Sequence, residues 1–154
     1  MPRKFLVVAD DTPEFDSALR FAARRARSTG GRVALLRVLT SSDSNAHWSG
    51  VRDEIEREQR AEAEALLGKL GARAEEISGA TPVLIIETGD TASAIRKAVA
   101  EDAEIKILVL AASSGRNPGP LVQEVVRGEG PTARKLPVTI VPGDLSDDEI
   151  EDLA

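Results

Sequence analysis

Five short apolar runs punctuate the chain, and between them apolar residues recur every three or four positions. The runs are Phe5–Ala9, Val33–Val38, Pro82–Ile86, Ile107–Leu110 and Val138–Val141. Runs this short and this apolar predict strands covered on both faces, as in parallel sheets. After the first run, Phe15, Ala18, Leu19, Ala22, Ala23 and Ala26 trace one face of a helix. Thr12 is placed to cap that helix, Pro13 suits its first position and Gly30-Gly31 ends it. After the second run, Val51, Ile55, Ala63, Leu66, Leu70, Ala74 and Ile77 predict a long helix. Its early turns carry Glu54, Glu56, Arg57, Glu58 and Arg60, opposite charges set to pair along a solvated face. Gly68 and Gly71 interrupt its second half. Asp90 caps a third helix whose buried face is Ala94, Ile95, Ala98 and Val99. After the fourth run, Leu121, Val122, Val125 and Val126 form a one-sided stripe that Gly128 ends, with a further turn at Thr132–Lys135. The tail Ser146–Leu153 is acidic, with Ser146 as a cap for a short or frayed helix.

Strand and helix alternate through all five runs. That order predicts an α/β fold, a parallel sheet with helices on both faces joined by right-handed crossovers. Residues 1–143 form one domain in this reading and residues 144–154 an acidic tail. Ligands of such sheets sit outside the carboxyl ends of the strands, where the strand order reverses. Two strand ends carry candidate chemistry: Asp10-Asp11 after the first strand and Ala112-Ser113-Ser114-Gly115 after the fourth. A carboxylate there can accept bonds from a ribose hydroxyl or an adenine amino group. A Gly-rich loop can donate N–H bonds to phosphate. The same residues also serve plainer ends: Asp10 as a helix-start carboxylate, the glycines and prolines as turns.

Composition narrows the chemistry. The 154 residues make room for one domain with a core. Aromatics are 3 %, so that core must be built from Val, Ile, Leu and Ala. A net charge of −6 offers no basic excess to nucleic acid or an anionic membrane. The absence of cysteine excludes disulfides, thiolate metal sites and thiol catalysis. No apolar run reaches the length of a membrane span, and the one at the N-terminus is too short for a signal peptide, which together predict a cytoplasmic protein. The only His, His47, stands beside the only Trp, Trp48, on a polar connection, without neighbours at metal-ligand spacing. No nucleophile–base set, P-loop lysine or opening Gly-x-Gly-x-x-Gly is present, so no enzymatic activity is expected. Arg20, Arg24 and Arg27 lie off the apolar stripe of the first helix and read as a solvated outer face.

Together these segments resemble the universal stress protein family over nearly the whole chain. KFLVVADDTPEFDSALRFAARRA resembles its opening strand, aspartate and helix, and GGRVALLRV its second strand. GDTASAI resembles its turn into the third helix, and ILVLAASSG and PVTIVPG its last two strands. The resemblance implies an open five-stranded sheet of order 3-2-1-4-5, an adenine nucleotide alpha hydrolase-like fold. Asp10 would then share one crevice with Ala112–Gly115. Many family members bind ATP through Gly, two residues, Gly, nine residues, Gly, then Ser or Thr; others lack the pattern and the binding. Carried over, Asp10 matches the aspartate that contacts base or ribose, Val38 the second-strand residue whose backbone meets adenine, and Gly115 the second glycine. The implied nucleotide-binding set is Asp10, Asp11, Val38, Ala112, Ser113, Ser114, Gly115, Gly128, Gly130 and Thr132, with ATP or AMP bound weakly as ligand and Mg²⁺ accompanying ATP.

The chain departs from the family pattern at its phosphate end. Ala112 stands where the first glycine belongs, and Glu129 and Pro131 follow the two candidate third glycines. Pro118, Pro120 and Pro131 each remove a backbone N–H. Arg116, Arg127 and Arg134 offer substitute cations. Two functions stay open: a nucleotide-binding regulator of the stress response, and a nucleotide-independent homodimeric module that presents its surface to an unknown protein partner. A small hydrolase using the same crevice is disfavoured for want of a base and nucleophile. The family commonly dimerises through its last strand, here Val138–Val141, which implies a homodimer.

Overall fold

All five apolar runs are strands of one parallel sheet, in the order β3-β2-β1-β4-β5. The computed structural model describes residues 2–10, 12–40, 49–113, 119, 122–123 and 135–154. Its strands are β1 (Lys4–Val8), β2 (Arg32–Leu39), β3 (Val83–Thr88), β4 (Ile105–Ala112) and β5 (Val138–Pro142). Helix α1 (Pro13–Thr29) follows β1, α2 (Ser49–Ser78) follows β2, α3 (Thr91–Glu101) follows β3, and α4 (Asp147–Leu153) closes the chain.

The central strand shows why continuous runs were required. Phe5, Leu6 and Val7 are each no more than 2 % exposed, because both faces of β1 are covered. Phe5 and Val7 point with Val33, Leu35 and Val109 towards α1 and α2. Leu6 points with Ala34, Leu36 and Leu108 towards α3. Strand bounds move from the sequence reading where backbone pairing, rather than apolarity, decides. β4 starts at Ile105, which pairs with Lys4, although the exposed Lys106 breaks the apolar run. β3 excludes Pro82, which has no N–H to donate, and continues through Glu87 and Thr88, partners of Val38 and Leu39.

Helix α2 differs more. Its buried line is Ala63, Leu67, Gly71, Ala74 and Ser78, with Leu66, Leu70 and Ile77 half-buried beside it. Val51, expected on the apolar face, is 49 % exposed, and residues 50–62 include no buried position. The first turns of the helix therefore add no buried residue to the core. Gly71 does not weaken the helix without return. A Cβ there would sit 3.1 Å from Leu84 Cδ2 and 3.4 Å from Pro82 Cγ, so the bare backbone lets α2 seat closely on β3. Gly68 faces open space.

Of the three arginines read as a solvated face of α1, Arg27 is exposed, but Arg20 and Arg24 are half-buried and paired. Arg20 is ion-paired to Asp16 and to Asp147, and its guanidinium donates to the Leu145 carbonyl at 3.2 Å. Arg24 pairs with Glu151 at 3.0 Å. The acidic tail is their partner: α4 docks against α1 with Ile150 only 4 % exposed. It is not frayed, because Ser146 and Glu149 form a reciprocal capping box. The Ser146 backbone N–H, bonded to the Glu149 carboxylate, holds that carboxyl below its usual range. Its contribution is therefore present at neutral pH and lost as pH falls through the depressed folded value.

Two glycines test this packing in opposite directions. A Cβ at Gly31 would run into the Arg3 carbonyl oxygen, which already accepts the Arg32 N–H at 2.9 Å. Gly31→Ala should lower stability by about 1–3 kcal/mol, the usual cost of overpacking. Gly68→Ala should raise it by about 0.5–1 kcal/mol, the helix-interior difference between the two residues. Urea denaturation of both variants measures the pair of signs.

Candidate functional site

At the carboxyl ends of β1 and β4 the chain leaves the sheet in opposite directions. After β1 it enters α1 on one face; Val122, beyond β4, packs into the core of the other face. The space between is a cavity of about 330 Å³. Val7, Val8 and Ala9 of β1 and its extension line it together with Val109, Leu110 and Ala111 of β4. Phe15 and Ala18 of α1, Arg37 and Val38 of β2, Thr91 of α3, and Ser113, Gly119 and Val122 complete the apolar and small-residue wall. Asp10, Thr12 and Glu14, all at the β1–α1 junction, supply oxygen groups.

Asp10 does not simply cap α1. Its Oδ1 accepts the Thr12 N–H at 2.8 Å and the Thr12 hydroxyl at 2.5 Å. Thr12 occupies the cap position by its backbone, φ −80° and ψ 149°; its side chain makes no cap bond and donates its hydroxyl to Asp10. The hydroxyl's geometry thus orients the carboxylate at the mouth of the cavity. Among the described residues no partner is bonded to the other oxygen, Oδ2.

Glu14 and Arg37 are cavity residues that the sequence did not single out. An acid in the first turn of a helix looks like ordinary dipole complementation, and one arginine within an apolar strand carries no pattern. Arg37 donates to the Ala9 carbonyl at 3.1 Å, fastening β2 to the strand extension that bears Asp10. The stem of the Glu14 side chain packs against the turn after β5. Gly143 donates its N–H to the Ala112 carbonyl at 3.0 Å and accepts the Ser17 hydroxyl at 3.0 Å. A Cβ on Gly143 would lie 2.5 Å from Glu14 Cγ and 2.6 Å from the Ala112 oxygen. That approach explains why a glycine ends the PVTIVPG segment.

Of the residues expected at the site, Asp10, Val38 and Ser113 share the cavity wall. Ala112 is half-buried beside it, pairs with Pro142 and directs its carbonyl to Gly143. Asp11, Ser114, Gly115, Gly128, Gly130 and Thr132 lie outside the described residues, as do Arg116, Arg127, Arg134, His47 and Trp48. A second, more polar cavity of about 360 Å³ backs onto Arg37 and Val38 and opens towards Gln59 and Glu62 of α2. Among the described residues no three acidic or imidazole groups gather to hold a metal ion, and no helix is long and apolar enough to cross a membrane.

A profile of the universal stress protein family matches residues 1–128. The fold is shared with solved structures. The universal stress protein UspA of Lactobacillus plantarum superposes with a TM-score of 0.68 at 18 % identity, over 90 % of this chain and 97 % of that one. A universal stress protein family protein of Arabidopsis thaliana, solved with AMP bound, gives 0.63 at 21 % identity, over 96 % and 95 % of the two chains. A universal stress protein solved in complex with cAMP gives 0.66 at 15 % identity, over 93 % and 98 %. No curated protein matches the chain in sequence.

The bonds Asp10 makes are local and solvent-facing, so its carboxylate is not needed to hold the fold. Asp10→Ala should cost no more than about 1 kcal/mol of stability, the net worth of an ordinary hydrogen bond. Its urea midpoint, compared with the parent protein, checks this.

Proposed function

The chain belongs to the universal stress protein family, and on that premise we propose that it is a cytoplasmic, non-enzymatic regulator of the stress response whose β1/β4 cavity takes an adenine nucleotide, ATP or AMP, weakly. One observation carries the reading: Asp10, Val38 and Ser113, drawn from three different strand ends, line a single cavity at the topological switch point. Its volume lies within the range of small-molecule pockets. The apolar side chains of Val8, Val38, Val109 and Leu110 suit a planar base, and the Asp10 carboxylate suits hydroxyl and amino donors. AMP and cAMP bound to two proteins of the same fold support an adenine ligand.

The phosphate end of the pocket is the weak end. Ala112 in place of glycine, and Pro118, Pro120 and Pro131 nearby in sequence, remove freedom and N–H donors from the segment that would face phosphate. Each charge-assisted bond forfeited is worth about 1.5–3 kcal/mol. Two of them lower affinity by about a hundredfold or more, which carries a micromolar site to the millimolar range. Mg²⁺, where ATP is the ligand, would serve to neutralise its phosphates.

A second feature supports a homodimer. β5 is an edge strand of five residues, and its Ile140 is 38 % exposed. An apolar edge with unpaired backbone groups invites a strand from a second copy. This surface serves the alternative reading too, a nucleotide-independent module that acts through its dimer.

Titration calorimetry with ATP and Mg²⁺ and with AMP should give millimolar-range binding that Asp10→Ala abolishes. No heat with either nucleotide at millimolar concentration would favour the nucleotide-independent module. Micromolar ATP binding would show that the altered loop still makes a working phosphate cradle. Sedimentation should give a dimer for the parent protein and a monomer, or a dimer of clearly weaker affinity, for Ile140→Lys. A monomeric parent at micromolar concentration contradicts the edge-strand interface.

A further inference from the structure

We propose that Glu14 makes the cavity selective for adenosine and its monophosphates over ATP, an inference that rests on the cavity being an adenine-nucleotide site. Two carboxylates from the same strand–helix junction, Asp10 and Glu14, stand on the lining. They suit different parts of such a ligand. A carboxylate accepts hydrogen bonds from the hydroxyls of a ribose, but it repels the oxygens of a phosphate chain. ATP carries roughly two more negative charges than AMP at neutral pH, so the same wall penalises it more; the penalty is Coulombic.

The penalty depends on where Glu14 can turn, and the structure limits the stem of its side chain on one side. Its Cγ lies so close behind Gly143 that a Cβ on that glycine would stand 2.5 Å from it. Gly143 is itself tied to the end of β4 and to α1 by the bonds of its N–H and carbonyl. Swinging the Glu14 side chain backwards would displace this turn. The amino end of α1, which would otherwise attract an anion, already has Glu14 and Asp16 in its first turn. Arg37, the cation on the described wall, donates to the Ala9 carbonyl. The cavity volume of about 330 Å³ lies within the range of small-molecule pockets.

The test compares adenosine, AMP and ATP on the parent protein and on Glu14→Gln, without divalent cations, by calorimetry or amide-shift titration. Glutamine keeps the shape and removes the charge. The parent should bind AMP at least about tenfold more tightly than ATP, and Glu14→Gln should narrow that ratio by about tenfold through tighter ATP binding, as expected for one like-charge contact in a partly solvated cleft. Adenosine, which carries no charge for Glu14 to repel, should change in affinity much less than ATP does. Raising the salt concentration should narrow the AMP-to-ATP ratio in the parent more than in the variant, because salt screens the repulsion. ATP bound as tightly as AMP by the parent, or a ratio that Glu14→Gln leaves unchanged while adenosine still binds, overturns the role of Glu14 and leaves the nucleotide site standing. Failure of all three ligands to bind the parent overturns the nucleotide reading, and this inference with it.

Discussion

The structure depends on β1 being paired in parallel on both sides, with β2 at one edge and β4 at the other. A strand in that position has no solvent face, so Phe5, Leu6 and Val7 must all be apolar, whichever way they point. Its neighbours are reached by chain that leaves on opposite faces of the sheet. Beyond the last paired residues of β1 and β4 the described residues leave a cavity, as expected where the strand order reverses. The pocket is thus a consequence of the strand order rather than an addition to the fold.

What the chain places around that opening decides what it can hold. The β1–α1 junction supplies oxygen acceptors, with Asp10 oriented by Thr12 and Glu14 backed by Gly143. Apolar branched side chains from β1, β2 and β4 supply the rest. On the proposed reading a base and a ribose would suit these walls, while a long phosphate chain would meet the carboxylates of Asp10 and Glu14. Among the described residues, several cations are engaged away from the cavity: Arg20 and Arg24 hold the carboxylates of α4, and Arg73 and Arg20 both pair with Asp16, while Arg37 stands on the cavity wall. The acidic tail is thereby part of the packing of α1, and it follows the same Gly143 turn that backs the cavity.

The strands and the helix faces of α1 and α3 were legible in the sequence because burial on both faces, or on one stripe, writes itself as a run or a period. The 3-2-1-4-5 order was reached through the family resemblance, since the run pattern alone fixes alternation and not neighbours. Val38 was legible as a candidate wall residue by the same route, whereas Asp10 was legible already from its place at the carboxyl end of the first strand. Other features left no periodic trace. The true buried line of α2 passes through Gly71 and Ser78, residues that a search for apolar periodicity skips. Arg20 and Arg24 looked solvated because their partners lie more than a hundred residues later, in the tail. Glu14 was hidden because an acid in the first turn of a helix reads as dipole complementation; only the folded sheet shows it on the cavity wall, beside the turn at Gly143.

The most direct test of the central claim is an amide-shift titration of ¹⁵N-labelled protein with AMP, which reads weak binding and its location together. The account predicts saturable shifts, at millimolar ligand, concentrated at Ala9, Asp10, Thr12, Val38, Ala111 and Ser113, the residues at or lining the β1/β4 opening. Shifts confined to another surface, such as the exposed edge of β3 or the first turns of α2, or no shifts at all, would contradict it.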